Sequence, residues 1–276
     1  MRSLGGLFFL LAALPELAPA ARAEFLVSPL RQVITAKEPV ARYRVSNASD
    51  RIVEARVDWI DLSATPEGYV LAATAERPGL SAAPYLTLSP SRLRLEPGGH
   101  AEVVVRLKKG VAIPPGERRS HLLIETAPMR TPLRRASTGL EVDVGLGIST
   151  PVILRNGFST PSLSFDHSKL SRDADGNLVF DTTLTSAGRY SAYGSITAVL
   201  DRQGRYEPLA QIANIAVYPD SGARRLSLPL RREALPEGKL RIEFRIDGQD
   251  RATLSKVFEI APPPSPPVAA KVSADR

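Results

Sequence analysis

The sequence predicts an all-β protein built from two tandem β-sandwiches. Short runs in which apolar and polar residues alternate recur along the chain, as is typical of strands with one buried face. Turn residues separate these runs at intervals of about 8 to 12 residues, which is the spacing found in antiparallel sandwiches. Helical periodicity is missing from every window of useful length. A chain of 276 residues is long enough for two domains of ordinary size.

The N-terminal segment has the pattern of a secretory signal peptide that is cleaved after export. A positive start at Arg2 precedes an apolar run over 4–14, and small residues at positions 21 and 23 lie just before Glu24. The apolar run is too short to cross a bilayer as a helix. We therefore predict a signal peptide over 1–23 and an exported mature chain that is not inserted in a membrane.

The chain contains no cysteine and carries a formal net charge of +7. An exported protein without cysteine has no disulfide and must be stabilised by the burial of its core. The basic residues are scattered rather than gathered in runs, which is typical of a solvated surface. Together with the export signal, this scatter argues against nucleic acid as a partner.

The first half of the chain alternates between candidate strands and tight turns. Asn, Pro and Gly residues mark turns at 47–50, 96–99 and 114–116. Residues 66–84 are rich in Ala, Pro, Gly and Thr, which predicts a loop with one short strand. The strands predicted from alternation are 25–34 with a break at Pro29, 40–45, 52–60, 86–88, 93–95, 101–107 and 119–126.

Residues 140–148 form the most regular alternating segment, because apolar side chains occupy every second position. In a strand these side chains would share one face over a length of about 26 Å. Two interpretations follow. The strand packs against its own core, as most half-buried strands do, or its apolar face completes the sandwich of a partner that lacks a strand. The side chains on this face are Leu140, Val142, Val144, Leu146 and Ile148.

The second half also alternates between candidate strands and turns, without an exact internal repeat, and this pattern predicts a second sandwich. The boundary between the two falls at 155–157, and a Pro-rich run without core residues follows the last candidate strand. We predict an N-terminal domain over 24–155, a C-terminal domain over 156–261 and a disordered tail over 262–276. The candidate strands are 178–185, 193–200, 212–218, 224–230, 239–246 and 252–260.

These features resemble those of the PapD-like periplasmic chaperones of pilus assembly. The resemblance covers the first half of the chain almost end to end and the second half more loosely. It implies that both sandwiches are immunoglobulin-like domains and that the chain represents a divergent branch of the family. The stretches that carry it are 95–98 before the strand 101–107, 115–123, 140–148, 148–155, 190–194 and 216–219.

Chaperones of this family bind a pilus or fimbrial subunit whose own sandwich lacks its last strand. The resemblance implies that residues 140–148 insert into such a subunit by donor-strand complementation. The inserted strand pairs with two exposed strand edges, and its alternate side chains fill the apolar groove between them. The resemblance also implies a periplasmic location and delivery of the subunit to an outer-membrane usher, with no small-molecule substrate.

The family holds the terminal carboxylate of the subunit with an Arg on the first strand and a Lys just after the donor strand. Two cations suit this task because they form charge-assisted hydrogen bonds with a carboxylate. The resemblance places the Arg at Arg31, and the alternative alignment, shifted by one residue to the opposite sheet face, places it at Gln32. The Lys position falls at Pro151, which has neither a charge nor a backbone donor, and Thr150 is the nearby polar substitute.

A second family feature is a salt bridge between the two domains. The Arg of this bridge matches Arg155, but the position of its acidic partner carries Arg119. Glu117 lies two residues earlier, on the same face of the predicted strand, and is the expected replacement. The predicted interdomain contact is therefore made by Arg155 and Glu117.

Residue patterns of enzymes are missing from the chain. No two of His100, His121 and His167 have the spacing of metal ligands, and no nucleophile, phosphate-binding or dinucleotide motif occurs. We therefore predict a non-enzymatic protein without metal or cofactor. The alternative to a chaperone is a structural or adhesive exported protein of two immunoglobulin-like domains, in which 140–148 is an ordinary core strand.

Overall fold

The structure is a computed structural model that describes residues 25–126 and 147–260. These residues form 18 β-strands, a four-residue helix and a short 3-10 turn. The strands build two sandwiches with separate hydrophobic cores. The predicted all-β fold class with tandem sandwiches is confirmed. The domain limits, which include residues outside the described ranges, stay a prediction.

The first sandwich packs a four-stranded sheet, in the order β1-β3-β9-β7, against a five-stranded sheet in the order β2-β11-β10-β4-β8. Side chains alternate between core and solvent along these strands, and the inward set includes the fully buried Tyr43, Leu122 and Leu154. Its strands are β1 (Phe25–Ser28), β2 (Gln32–Ile34), β3 (Val40–Asn47), β4 (Val53–Ile60), β7 (Leu86–Ser89), β8 (Arg92–Leu95), β9 (His100–Leu107), β10 (Gly116–Thr126) and β11 (Gly147–Asn156).

A small hairpin lies outside these two sheets, between β4 and β7. It consists of β5 (Leu62–Ala64) and β6 (Tyr69–Leu71), which pair with each other in an antiparallel two-stranded sheet. The helix α1 (Arg77–Leu80) and a 3-10 turn (Ala83–Tyr85) lead from the hairpin back to β7. The sequence predicted one short strand in this region, and the structure shows that β6 has β5 as its partner.

The second sandwich packs a three-stranded sheet, in the order β12-β13-β16, against a four-stranded sheet in the order β15-β14-β17-β18. Phe180, Phe244 and Leu200 are among its fully buried core residues. Its strands are β12 (Ser162–Arg172), β13 (Leu178–Ala187), β14 (Ala192–Arg202), β15 (Arg205–Val217), β16 (Ala223–Pro229), β17 (Gly238–Ile246) and β18 (Leu254–Ile260).

The chain passes from one sandwich to the other just after β11. Gly157 takes a left-handed backbone conformation there, with φ +83°, which glycine adopts without a steric penalty. Tyr190 of the second sandwich closes over this turn, since its hydroxyl donates a hydrogen bond of 2.9 Å to the carbonyl of Asn156. The connection is therefore short and is held by a hydrogen bond from the second sandwich.

Several predicted segments lie outside the described residues. They are the signal peptide over 1–23, the apolar positions Leu140, Val142, Val144 and Leu146, and the tail over 262–276. Within 25–126 and 147–260, no helix has the length and apolar character needed to cross a membrane.

Candidate functional site

Strand β11 has one hydrogen-bonding edge that is only partly covered. On one side it pairs with β10 from Gly147 to Asn156. On the other side β2 runs parallel to it and pairs only with Val152, Ile153 and Leu154. Among residues 25–126 and 147–260, no strand pairs with that side of 147–151. Leu30 lies beside Thr150 on this side, so the part of the edge without a neighbouring strand among the described residues is 147–149.

Ile148 is the one predicted groove-filling residue that the structure describes. It is half-buried and packs against the core of the first sandwich, on the same strand face as Val152 and Leu154. Part of its apolar surface is thus covered by the chain itself. Ile148 has less surface to offer a partner than the sequence predicted.

Arg31 lies at the entrance of β2 and reaches the second sandwich. Its Nη2 donates a hydrogen bond of 3.1 Å to Oγ of Ser191, and its guanidinium carbon lies 4.5 Å from the ring centroid of Tyr193. Its Nε is buried and has no hydrogen-bond partner among the described residues. Arg31 is therefore placed in the cleft between the sandwiches and held there mainly by neutral groups.

The charge of Arg31 is not matched by an anion in the described part of the chain, where it forms no ion pair. The tyrosines that feel its charge do not supply one. Burial raises the pKa values of Tyr43, Tyr193 and Tyr218 above the usual range, so these phenols stay neutral. The exposed Asp247 follows β17 and acts on Tyr193 without pairing with Arg31. Arg31 thus has the electrostatic character of an anion-binding group.

Arg155 and Glu117 face each other across the β10–β11 pair and form an ion pair. Nε and Nη2 of Arg155 both donate to Oε2 of Glu117, and the Glu117 side chain is only 2% exposed. Both residues also contact the second sandwich through Ser191. The backbone N–H of Ser191 donates to Oε2 of Glu117 at 3.2 Å, and Nη2 of Arg155 donates to Oγ of Ser191 at 3.2 Å. We call Arg31, Glu117, Arg155 and Ser191 the Ser191 cluster.

The two positions considered for a missing cation are both occupied by structural contacts. Thr150 is 1% exposed, and its hydroxyl donates to the carbonyl of Leu30, so it cannot face a ligand. The carbonyl of Pro151 accepts a hydrogen bond of 3.3 Å from the buried Tyr43 hydroxyl. Neither residue can act as the second cation of a carboxylate site.

Arg155 and Glu117 both belong to the first sandwich, whereas an ion pair that was not predicted from the sequence joins the first sandwich to the second. Nη2 of Arg119 on β10 lies 2.7 Å from Oδ2 of Asp220, and Nη1 lies 3.1 Å from Oδ1. The Arg119 side chain is 2% exposed, and its guanidinium carbon lies 3.9 Å from the ring centroid of Tyr218. The pair is bidentate, and the ring of Tyr218 lies against its guanidinium. It therefore fixes one side of the junction between the two sandwiches.

The β5–β6 hairpin covers that side of the junction. Nη2 of Arg119 donates to the carbonyl of Leu62 at 2.8 Å, and the N–H of Ala64 donates to Oδ2 of Asp220 at 2.7 Å. The ring of Tyr69 lies 6.1 Å from that of Tyr218 in the second sandwich. The hairpin therefore belongs to the first sandwich by connectivity but contacts both.

His121 is buried beneath the hairpin. It is 1% exposed, its ring centroid lies 5.0 Å from that of Tyr69, and neither ring nitrogen has a hydrogen-bond partner among the described residues. Burial, with a smaller contribution from the charge of Arg119, lowers the pKa of His121 to about 3 against the opposing charge of Asp220. The imidazole is therefore neutral at neutral pH and acts as a packing group.

Several solved structures of chaperones are similar in fold to this chain. The YadV chaperone is 11% identical, with 86% of this chain and 100% of its own chain covered and a TM-score of 0.45. The Pseudomonas aeruginosa CupB2 chaperone is 18% identical, with 86% and 100% covered and a TM-score of 0.43. The Salmonella enterica SafB chaperone in complex with the SafA pilin is another, at 12% identity, 87% and 99% covered and a TM-score of 0.42.

No protein-family model matches the chain, and no curated protein matches its sequence.

Proposed function

We propose that the chain is a periplasmic chaperone that binds pilus or fimbrial subunits by donor-strand complementation and delivers them to an outer-membrane usher. The observation that carries this proposal is the unpaired edge of β11 at 147–149, which overlaps the end of the alternating segment 140–148. A subunit that lacks a strand needs both a backbone edge to pair with and a row of apolar side chains to fill its groove. The chain offers both along one continuous stretch.

The apolar row is sufficient to hold a subunit without an energy source. Full burial of each of Leu140, Val142, Val144 and Leu146 contributes roughly 1.5 to 3 kcal/mol, or about 6 to 12 kcal/mol in total. Association costs at least about 4 kcal/mol. Ile148 adds a smaller share because the first core already covers part of it. The surplus is enough for a stable complex that a competing strand can still displace.

Arg31 has the proposed role of holding a carboxylate of the bound subunit. It lies beside the open edge of β11, carries a charge unmatched by the described residues and keeps one buried donor without a partner. A carboxylate that forms charge-assisted hydrogen bonds to Arg31 would fix where the subunit strand begins along β11. The proposed role of Arg155 and Glu117 is to hold the two sandwiches at the angle that shapes this cleft.

The proposed location follows from the predicted signal peptide over 1–23. Export places the chain where subunits of surface fibres arrive unfolded.

The test is a double substitution in the predicted donor strand, Val144→Asp with Leu146→Asp, made in the full chain. Co-expression with a pilin-like subunit that lacks a strand should give soluble subunit in complex with the wild type. The double variant should keep its thermal unfolding midpoint but lose the complex, because two charges cannot enter an apolar groove. The matched control is Glu141→Gln with Asp143→Asn, which changes the opposite strand face and should retain the complex.

One observation favours the alternative, a structural or adhesive exported protein. Ile148 packs against the core of its own sandwich, and an ordinary core strand would do the same along its whole length. In that case the double Asp variant would place two charges in a core, and the first sandwich would unfold. A double variant in which the first sandwich is unfolded, and which therefore lacks the thermal unfolding midpoint of the wild type, would contradict the chaperone proposal.

A further inference from the structure

Two guanidinium groups share one neutral acceptor in the cleft. Nη2 of Arg31 and Nη2 of Arg155 donate to the same oxygen, Oγ of Ser191, at 3.1 Å and 3.2 Å. Because both lie within hydrogen-bond distance of one atom, they are close enough for a single carboxylate to bridge them. Like-charged groups are costly to hold together unless an anion compensates them.

Only one carboxylate compensates these two cations in the described chain. Glu117 accepts hydrogen bonds from Arg155 and from Ser191 on a single oxygen, Oε2, while its Oε1 has no partner. The Ser191 cluster therefore holds two positive charges against one negative charge. One further carboxylate would make it neutral.

We infer that Arg155 is the second cation of the carboxylate site and that the Ser191 hydroxyl occupies the position of the incoming carboxylate. This inference rests on the proposed function and names the residues that complete its anchor. Arg155 can serve because its side chain is 15% exposed and no hydrogen bond of its Nη1 occurs among the described residues. Arg119 cannot serve, because Asp220 already engages both of its terminal nitrogens.

Entry of the carboxylate requires one local exchange. The Ser191 hydroxyl moves aside and gives up its bonds with Arg31, Arg155 and Glu117, while the backbone N–H of Ser191 keeps its bond of 3.2 Å to Oε2 of Glu117. The two guanidinium groups then donate to a charged oxygen pair instead of a hydroxyl, and such charge-assisted bonds are about twice as strong as neutral ones. The buried Glu117 limits the site to a single anion, since a second would meet its charge.

The experiment observes the arginine Nε–Hε signals by nitrogen-15 NMR in the full chain, in a buffer without carboxylates. The probe is N-acetyl-L-alanine, which ends in a carboxylate, and the matched control probe is N-acetyl-L-alanine amide. We expect the signals of Arg31 and Arg155 to shift together, with one dissociation constant, only with the carboxylate. The signal of Arg56, which pairs with Asp58 on an exposed strand face, should not shift.

Variants separate the role of Arg155 in binding from its role in structure. Arg155→Lys keeps a charge beside Glu117 but loses the planar donor fork, and we expect the dissociation constant of the probe to rise about tenfold. Ser191→Asp supplies a built-in carboxylate and should abolish the response of both signals. Ser191→Asn is its neutral control of similar size and should keep the response. Thermal unfolding of each variant shows whether the fold is retained.

The outcomes also distinguish this inference from the proposed function. A saturable shift of Arg31 alone, with Arg155 unmoved, would overturn the role of Arg155 and leave Arg31 as a single anchor. No shift at either residue would overturn the carboxylate site as a whole. Neither result bears on the apolar strand, which the Val144→Asp and Leu146→Asp variant tests separately.

Discussion

Arg119 and Asp220 form a bidentate ion pair that joins the two sandwiches, with terminal nitrogens 2.7 and 3.1 Å from the carboxylate oxygens. The guanidinium is almost fully buried, while the carboxylate keeps 25% of its side-chain surface exposed. Desolvation of such a pair is compensated only while both partners are present. The pair therefore makes the junction sensitive to the loss of either residue.

We predict that Asp220→Asn lowers the free energy of unfolding by about 2 to 4 kcal/mol, because it leaves the Arg119 charge buried without its partner. Urea unfolding followed by tryptophan fluorescence measures this. The control is Asp58→Asn, which breaks the exposed pair with Arg56 and should cost about 0 to 1 kcal/mol. Equal losses in the two variants would contradict the interpretation of Arg119–Asp220 as a buried pair.

The same variant should loosen the angle between the sandwiches. Because the chain has no native cysteine, spin labels can be attached at Thr87→Cys and Gln203→Cys without a background signal. Both positions are exposed, one in each sandwich. We expect the label-to-label distance distribution to broaden in Asp220→Asn. An unchanged width would mean that the hairpin and the Ser191 cluster hold the junction without this pair.

The buried His121 predicts a specific loss of stability in acid. Its pKa falls to about 3 in the folded chain and lies near 6.5 in an unfolded one, so the unfolded state binds the proton more readily. Its contribution is fully present above pH 6.5 and is lost as the pH falls toward 3. The His121 ring has no hydrogen bonds to lose, so in His121→Phe the drop in unfolding free energy between pH 8 and pH 4 should be smaller by about 3 kcal/mol.

Urea unfolding between pH 8 and pH 4 gives this difference directly. The carbon-bound ring protons of His121 supply an independent measurement, since their NMR shifts follow the charge of the ring. They should stay constant from pH 8 to pH 5. A titration midpoint near 6 would show that the imidazole is accessible to protons in the folded chain and would contradict the prediction.

Local patterns predicted the strands well, because each depends on side chains that alternate between a core and solvent. Strand β12 (Ser162–Arg172) was not predicted, since it lies at a sheet edge, has one buried residue and carries polar side chains on both faces. The proximity of Arg155 and Glu117 could be expected from neighbouring strands. The Arg119–Asp220 pair could not, because its partners lie 101 residues apart and meet only through the docking of two sandwiches.

We predict that removal of the buried Ser120 hydroxyl strongly lowers the free energy of unfolding. Its Oγ donates to Oδ1 of Asp61 at 2.6 Å and accepts from the backbone N–H groups of Ala82 and Ala83 at 3.0 and 2.9 Å. Ser120→Ala would leave these groups without a partner, so we expect a loss of about 2 to 4 kcal/mol in urea unfolding. Ser227→Ala removes an exposed hydroxyl bonded to Asp181 and should cost less than about 1 kcal/mol.

Alanine substitutions at two glycines with the same backbone conformation can distinguish backbone strain from steric crowding at the connection between the sandwiches. Gly157 and Gly176 both have φ +83°, but a Cβ at Gly176 would meet nothing within 4 Å. A Cβ at Gly157 would lie 2.6 Å from the Tyr190 hydroxyl, which donates to Asn156. Gly176→Ala should therefore cost about 1 kcal/mol, from backbone strain alone, and Gly157→Ala should cost distinctly more.

Removing the crowding atom completes the comparison. In Tyr190→Phe the hydroxyl is absent, so adding Gly157→Ala to this background should cost only the strain seen at Gly176, about 1 kcal/mol. The coupling between the two substitutions, measured by urea unfolding of the single and double variants, then gives the energy of the contact itself. Additive effects would show that Tyr190 turns away from Gly157 without loss, and the closure of the connection by this hydroxyl would then contribute nothing to stability.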